Sequence, residues 1–147
     1  MDKINFADLK FAINEVKTLS CLTLNNDEVK KEVAENKGKL NYSLNIPSFI
    51  DLKQNIIGYD VTVGFFLERE DNIIFQLAVR LTYFVENLVK YCIKSKSGEL
   101  RVHPELDQIL LHISISTFRG VMAVKVEGTA IYNVILPLID VATLNRM

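Results

Sequence analysis

The chain has 147 residues, of which 49% are hydrophobic, and its formal net charge is −1. This length predicts one domain that spans residues 1–147. A charge near zero gives no electrostatic reason to expect binding to nucleic acid or to an anionic membrane surface. No uncharged stretch reaches the roughly 20 apolar residues of a membrane span, and residues 1–6 lack the apolar run of a signal peptide. We therefore expect a cytoplasmic protein without membrane insertion.

The first predicted element is a strand in residues 9–24. Leu9, Phe11 and Ile13 alternate with polar or small neighbours, which is typical of a strand with one buried face. The alternation then slips by one residue, and a bulge near Asn14-Glu15 would explain the slip. The charge-rich residues 25–37 are expected to form a solvated connection with at most a helical turn.

Three further strands follow from strict alternation of apolar and polar residues over 40–46, 59–67 and 73–85. Pro47 is expected to end the first of these or to mark a sheet edge, because proline has no N–H to donate. The polar residues 69–72 have the length of a hairpin turn, so the last two strands should pair antiparallel. The sequence thus predicts a four-stranded antiparallel sheet.

A long crossover loop in residues 87–102 leads to the main predicted helix, residues 104–119. Pro104 suits the first helical position, and Gly120 suits the position after the last turn, where positive φ is common. Residues 121–126 are interpreted as a short strand. Strands followed by a helix that packs on one face of the sheet indicate the α+β class.

The predicted helix carries two apolar stripes at a spacing of about 100° per residue. The first stripe comprises Leu106, Ile109, Leu110, Ile113 and Thr117. The second stripe comprises Leu111, Ile115 and Phe118. Two stripes imply burial from both sides, either by more of the same chain or by a second subunit. We expect an oligomer, a dimer or a tetramer, with the second stripe as its interface.

The residues that could carry chemistry form no recognisable catalytic, cofactor-binding or metal site. The glycines form neither a phosphate-binding loop nor a dinucleotide fingerprint, and no cysteine lies at metal-ligand spacing from His103 or His112. His112 is interpreted as a packed or interfacial residue. Glu68 and Glu70 border the predicted turn and are interpreted as solvated. Cys92 has no histidine partner that the sequence can place beside it. Both cysteines are expected to be reduced thiols.

An aromatic and aliphatic cluster spans the end of the last long strand and the crossover. Its members are Tyr83, Phe84, Leu88, Val89, Tyr91 and Ile93. One interpretation is that these side chains close the core and contribute to an oligomer contact. The other is that they line an exposed apolar groove that binds unfolded or extended polypeptides.

Two short motifs resemble the SecB-like chaperone family: Ser116-Thr117-Phe118-Arg119-Gly120 and Leu136-Pro137-Leu138-Ile139-Asp140. In that family a helix that opens at proline ends in Ser-Arg-Gly, and a Leu-x-Pro segment follows. The resemblance implies subunits that form dimers and then dimers of dimers, with helices between the sheets. The segment from Gly120 to Pro137 is longer here. Contact with the SecA motor is possible but doubtful, because the strongly acidic character of the export chaperone is absent.

Three functions remain open at this point. The first is an ATP-independent holding chaperone that binds non-native polypeptides, for export or in a toxin–antitoxin system. The second is an oligomeric scaffold or adaptor with one fixed protein partner and no general chaperone activity. The third is a small enzyme or small-molecule binder. Suppression of aggregation for several unrelated proteins would distinguish the first from the second.

Overall fold

The structure is a computed structural model, and it describes residues 5–24, 27–35, 40–67 and 73–132. Within these residues the fold is α+β, with one antiparallel sheet, one long helix and a short separate hairpin. In chain order the elements are β1 Phe11–Thr23, α1 Asp27–Glu35, β2 Leu40–Asn45, β3 Ser48–Asp51, β4 Ile56–Leu67, β5 Ile73–Val85, a 3-10 turn Leu88–Tyr91, β6 Cys92–Lys94, β7 Leu100–Val102 and α2 Pro104–Lys125.

The main sheet contains five strands but is four strands wide. Its order is β1-β5-β4-β2, and β3 pairs with the part of β4 that lies beyond β2. Pro47 lies between β2 and β3, and its carbonyl accepts a hydrogen bond from the Asp60 N–H at 3.0 Å. The predicted antiparallel sheet is confirmed, but β3 is an additional strand that none of the predicted strands covers.

The first strand is an edge strand with two irregularities. Its register against β5 shifts between Ile13 and Glu15 and again between Thr18 and Ser20. Asn14 and Leu19 are therefore extra residues, and the first shift confirms the predicted bulge. The side-chain amide of Asn14 donates a hydrogen bond to the Thr82 hydroxyl at 3.1 Å, which fixes the first bulge to β5.

The core lies between α2 and one face of β4 and β5. Alternate residues of the two strands point to this face, and those from Tyr59 to Phe65 on β4 and from Phe75 to Val85 on β5 are at most 2% exposed. These residues form one contiguous apolar cluster with α2. The two-residue period of a strand places the intervening residues on the opposite face, and these are mostly polar or small but include Ile74 and Phe84.

The helix α2 begins at Pro104 as predicted but extends to Lys125, beyond the predicted end at 119. The prediction that residues 121–126 form a strand is wrong, because Val121 to Lys125 continue the helix. Glycine in a helix costs up to about 1 kcal/mol relative to alanine. Burial of Phe118 and Met122 on either side of Gly120 offsets that cost. The motif at 136–140 lies outside the described residues.

Both predicted connections contain more structure than the sequence indicated. The connection after β1 holds the nine-residue helix α1, of which Val33 is buried. The crossover holds the 3-10 turn and the hairpin of β6 and β7. The predicted turn at residues 69–72 lies outside the described part of the chain.

Candidate functional site

The helix α2 is buried along one wide arc rather than along two separate faces. Leu106 and Leu110 of the first predicted stripe are buried, and so are all members of the second. Asp107 and Ser114 lie between the two stripes. Ser114 is fully buried, and Asp107 is partly buried. The two stripes are therefore the two margins of a single buried surface whose centre is polar.

Two tyrosines of the sheet supply the hydrogen-bond partners for this polar centre. The Tyr59 hydroxyl donates to the Asp107 carboxylate at 2.7 Å. The Tyr83 and Ser114 hydroxyls lie 2.7 Å apart, and Ser114 also donates to the Leu110 carbonyl at 2.7 Å. Burial raises the pKa of Tyr83, and the hydrogen bond with Ser114 opposes that rise. Helix α2 is thus held to the sheet by polar contacts as well as by apolar packing.

The predicted oligomer interface on α2 consists of side chains that this single chain already buries. Leu111, Ile115 and Phe118 are 1%, 6% and 0% exposed in the single chain. Side chains with so little accessible surface have nothing to contribute to a second subunit in this conformation. The structure therefore corrects the assignment of these residues to an interface: one chain already buries both margins of the helix.

The predicted client-binding groove also separates into different environments. Tyr83, Leu88 and Tyr91 are at most 1% exposed and belong to the core, so placing them in an open groove is corrected. Phe84 and Val89 are exposed. Ile93 is partly buried in β6. Phe84 points to the polar face of the sheet, whereas Tyr83 points to α2, so the six side chains do not form one surface.

Other apolar side chains are exposed on both faces of the first strand and at the residue that follows it. We call this group the β1 strip, and it consists of Ile13, Val16, Leu19, Leu22 and Leu24. These side chains are between 41% and 60% exposed. Ile13 and Val16 lie opposite Tyr83 and Leu81, so they point to the helix side of the sheet. Leu22 lies opposite Gln76 and points to the other side. Leu19 occupies the second bulge.

The β1 strip is exposed because β1 lies at the border of the sheet. Helix α2 lies over β4 and β5, where Tyr59 and Tyr83 hold it. No strand pairs with the outer edge of β1 within residues 5–132 as far as they are described. The spacing of the strip residues by about three was visible in the sequence. Their exposure was not, because sequence alternation does not show which strand lies at an edge.

The described residues show little that could support catalysis. They contain no group of three or more histidine, cysteine, aspartate or glutamate side chains that could hold a metal ion. His112 is exposed on α2. Burial raises the pKa of the Cys92 thiol, which donates to the Leu88 carbonyl at 3.3 Å and is thereby held in its less reactive form. Glu68 and Glu70 lie outside the described ranges.

One cavity of about 410 Å³ lies between α1 and the turn after α2. Among the residues that line it, Lys30 is the one charged side chain, and Val33 and Tyr132 contribute apolar and phenolic surface. This lining provides no paired acid and base. None of the helices in the described parts of the chain is long and apolar enough to cross a membrane.

Comparison with models of known protein families gave no match, and comparison with curated proteins gave none either. The β1 strip holds five of the exposed large apolar side chains among the described residues of this chain.

Proposed function

We propose that this protein is an ATP-independent holding chaperone that binds non-native polypeptides through the β1 strip. The observation that supports this most is the partial exposure of five large apolar side chains within residues 13–24, four of them on the edge strand β1 and one directly after it. We propose a cytoplasmic location and a role in protein export or in a toxin–antitoxin system. Contact with the SecA motor is not part of this proposal.

Capture of polypeptides with varied sequences requires exposed apolar area rather than a fixed set of polar partners. Full burial of a valine or leucine side chain contributes about 1.5–3 kcal/mol. Each member of the β1 strip has roughly half of its surface left to bury, so it can contribute about 1 kcal/mol to binding. Five such contributions give about 5 kcal/mol, which only matches the lowest estimates of the association cost, so capture also needs main-chain hydrogen bonds to the edge of β1.

The backbone of β1 supports the same function. The strand is 13 residues long, and an edge strand presents N–H and C=O groups on the side away from the sheet. Extended peptides commonly bind such edges, because main-chain hydrogen bonds do not depend on the sequence that is bound. Unfolded polypeptides are extended over short segments, so an edge bordered by apolar side chains suits them.

The alternative is an oligomeric scaffold with one fixed protein partner, and two features of β1 favour it. The bulges at Asn14 and Leu19 interrupt the strand, and bulges limit indiscriminate pairing at sheet edges. Glu15 and Lys17 place opposite charges between the bulges. A partner that pairs with this short segment must match its charges, which restricts the range of partners.

Light scattering of several unrelated aggregating proteins tests the proposal. The wild-type protein should suppress aggregation of most of them at a few-fold molar excess. The double variant Leu22→Ser, Leu24→Ser should lose most of this suppression, because it removes two of the most exposed members of the strip. Its melting temperature should remain close to that of the wild type, since both side chains are largely solvated.

The matched control is the double variant Phe84→Ser, Val89→Ser, which removes two equally exposed apolar side chains outside the strip. Suppression should be unchanged in this control. Loss of suppression in the control but not in the Leu22, Leu24 variant would indicate that clients bind at the end of β5 and the crossover instead. Suppression for only one protein, or for none, would support the fixed-partner scaffold instead.

A further inference from the structure

We propose that the cavity between α1 and the turn after α2 binds a small amphipathic monoanion, an aliphatic carboxylate whose chain fills the cavity and whose head group lies at Lys30. The cavity has a volume of about 410 Å³. Small-molecule sites usually have volumes of about 300–1,000 Å³. None of the residues of the β1 strip lines this cavity, so binding there is independent of the proposed capture of unfolded polypeptides.

One face of α1 forms the first wall of the cavity. Lys30, Val33 and Ala34 line it, and their spacing of three and four residues places them on the same side of the helix. Val33 is 4% exposed and forms part of the floor. Lys30 and Ala34 are exposed, so they lie nearer to the mouth. This wall offers an apolar interior with one cation at its margin.

The turn after α2 forms the opposite wall, and its own hydrogen bonds hold it in shape. The Thr129 hydroxyl donates to the Val126 carbonyl at 2.7 Å and accepts from the Ile131 N–H at 3.3 Å. The Tyr132 N–H donates to the Thr129 carbonyl at 3.3 Å. Ala130, which also lines the cavity, is 7% exposed. A wall that is ordered before the ligand arrives lowers the entropic cost of binding.

The charges around the cavity favour an anion. Helix α1 carries four acidic residues, but none of them is among the described residues that line the cavity. Lys30 and Tyr132 do line it. Neither the Lys30 ammonium group nor the Tyr132 hydroxyl has a hydrogen-bond or ion-pair partner in the part of the chain that the structure describes. Both groups can donate to a carboxylate, which accepts several hydrogen bonds at once.

The rest of the lining determines the other half of the ligand. Val33, Ala34 and Ala130 present methyl groups, and no second cation lies among the described residues around the cavity. A sugar or a polyvalent phosphate would leave polar groups against these methyl groups without hydrogen-bond partners, which costs free energy of binding. One carboxylate on an aliphatic chain matches a single cation beside an apolar floor.

Such a ligand would connect α1 to the end of α2. Val33 is the one residue of α1 that is buried, so this helix has little apolar contact with the core. A ligand that contacts both walls stabilises the arrangement in which the walls face each other, because it binds that arrangement alone. The backbone amides of residues 27–35 should therefore exchange hydrogen more slowly when the ligand is bound.

Hydrogen–deuterium exchange of the full chain with octanoate as the probe locates the binding site. Saturating octanoate should slow exchange in residues 27–35. Octanol has a chain of the same length without the charge, and it should need a severalfold higher concentration for the same protection. Absence of protection in α1, or equal potency of octanol, would overturn the proposal.

The double variant Leu22→Ser, Leu24→Ser separates this site from the β1 strip, whose exposed side chains an aliphatic chain could also contact. Octanoate should protect α1 in this variant as strongly as in the wild type. Loss of that protection would show that octanoate acts through the strip, which would contradict the cavity site. Failure of the wild type to suppress aggregation would sink the chaperone proposal without affecting this result.

Two substitutions test the two halves of the site by isothermal titration. Lys30→Gln should weaken octanoate binding about two- to fivefold and leave octanol binding unchanged, because an exposed ion pair contributes modestly. Ala34→Leu should weaken binding of both probes by about tenfold or more, since the larger side chain occupies the cavity. The matched controls are Lys31→Gln and Ala123→Leu, which change exposed helical residues that do not line the cavity, and both should bind like the wild type. Equal losses in variants and controls, or unchanged binding in Ala34→Leu, would overturn the assignment.

Discussion

At the scale of single residues, two hydroxyl contacts decide how α2 lies on the sheet. Tyr59 and Tyr83 are fully buried, with ring centroids 6.1 Å apart, and their hydroxyls reach Asp107 and Ser114. A buried hydroxyl without a hydrogen-bond partner would lower the free energy of unfolding. The two contacts therefore define both the position and the rotation of the helix, which apolar packing alone specifies less strictly.

The first prediction concerns the contact between Tyr83 and Ser114. Tyr83→Phe removes one hydroxyl, while Ser114 keeps its hydrogen bond to the Leu110 carbonyl. We expect the free energy of unfolding to fall by about 0.5–1.5 kcal/mol in urea titrations. Tyr42→Phe is the control, because Tyr42 is 42% exposed, and its loss should stay within about 0.5 kcal/mol. Equal losses from the two variants would show that the buried contact contributes nothing.

The second prediction is the effect of alkaline pH on the same residue. Burial raises the pKa of Tyr83 above its ordinary value of 10.0, so the folded protein keeps this proton at a pH where the unfolded chain loses it. The associated stability is fully present below pH 10 and is lost as the pH rises beyond it. Tyr83→Phe should therefore show a shallower decline in unfolding free energy above pH 10 than the wild type. Parallel declines in the two proteins would contradict this.

At the scale of elements, the end of α2 shows how tertiary packing overrides a local signal. Gly120 stands where a helix commonly stops, yet it lies inside the helix, and it is not one of the glycines with positive φ. The helix continues because Met122, one turn beyond Phe118, is buried as well. A glycine after an apolar stripe predicts a helix end only when the residues that follow have no core to contact.

The third prediction tests this position of Gly120. A Cβ atom added there meets nothing within 4 Å, so Gly120→Ala should raise the free energy of unfolding by about 0.5–1 kcal/mol. Gly128 provides the opposite case, because its φ is +76° and an alanine there is strained. Thermal melts of the two variants should shift in opposite directions. A loss of stability in Gly120→Ala would place the helix end at residue 119 after all.

The sequence predicted the strands better than the surfaces that they expose. Alternation identified β4 and β5, because both are buried on one face along their whole length. It also located the bulge at Asn14. The two stripes of α2 were interpreted as opposite faces because Asp107 and Ser114 between them are polar. The structure shows that Tyr59 and Tyr83 of the sheet contact these two polar residues. The predicted interface on the second stripe depends on the interpretation that the two stripes are separate faces.

The predicted client-binding groove included three buried side chains for a related physical reason. Tyr83 and Tyr91 belong to an aromatic-rich segment, and aromatic content alone does not distinguish a core from a groove. The exposed strip on β1 consists of aliphatic residues, a composition that is also typical of buried strands. Whether such a strand is covered depends on the width of the helix layer above the sheet, which is a property of the assembled fold and not of a local segment.

At the scale of the whole molecule, one helix covers a sheet that is wider than the helix. Helix α2 protects β4 and β5, and the border strand β1 retains both exposed apolar side chains and an edge. A protein with such a border must meet another polypeptide there or tolerate a risk of aggregation. The proposed capture of unfolded chains would use both of these features of β1, its unpaired edge and its exposed apolar side chains.

The most direct test of the central claim is photo-crosslinking to an unfolded client. A photoreactive phenylalanine analogue replaces Leu22 in one variant and Val89 in another, two residues that are 60% and 65% exposed. With a reduced, permanently unfolded client, we expect covalent adducts from position 22 and few from position 89. Adducts mainly from position 89, or equal adducts from both, would contradict the assignment of client binding to the β1 strip.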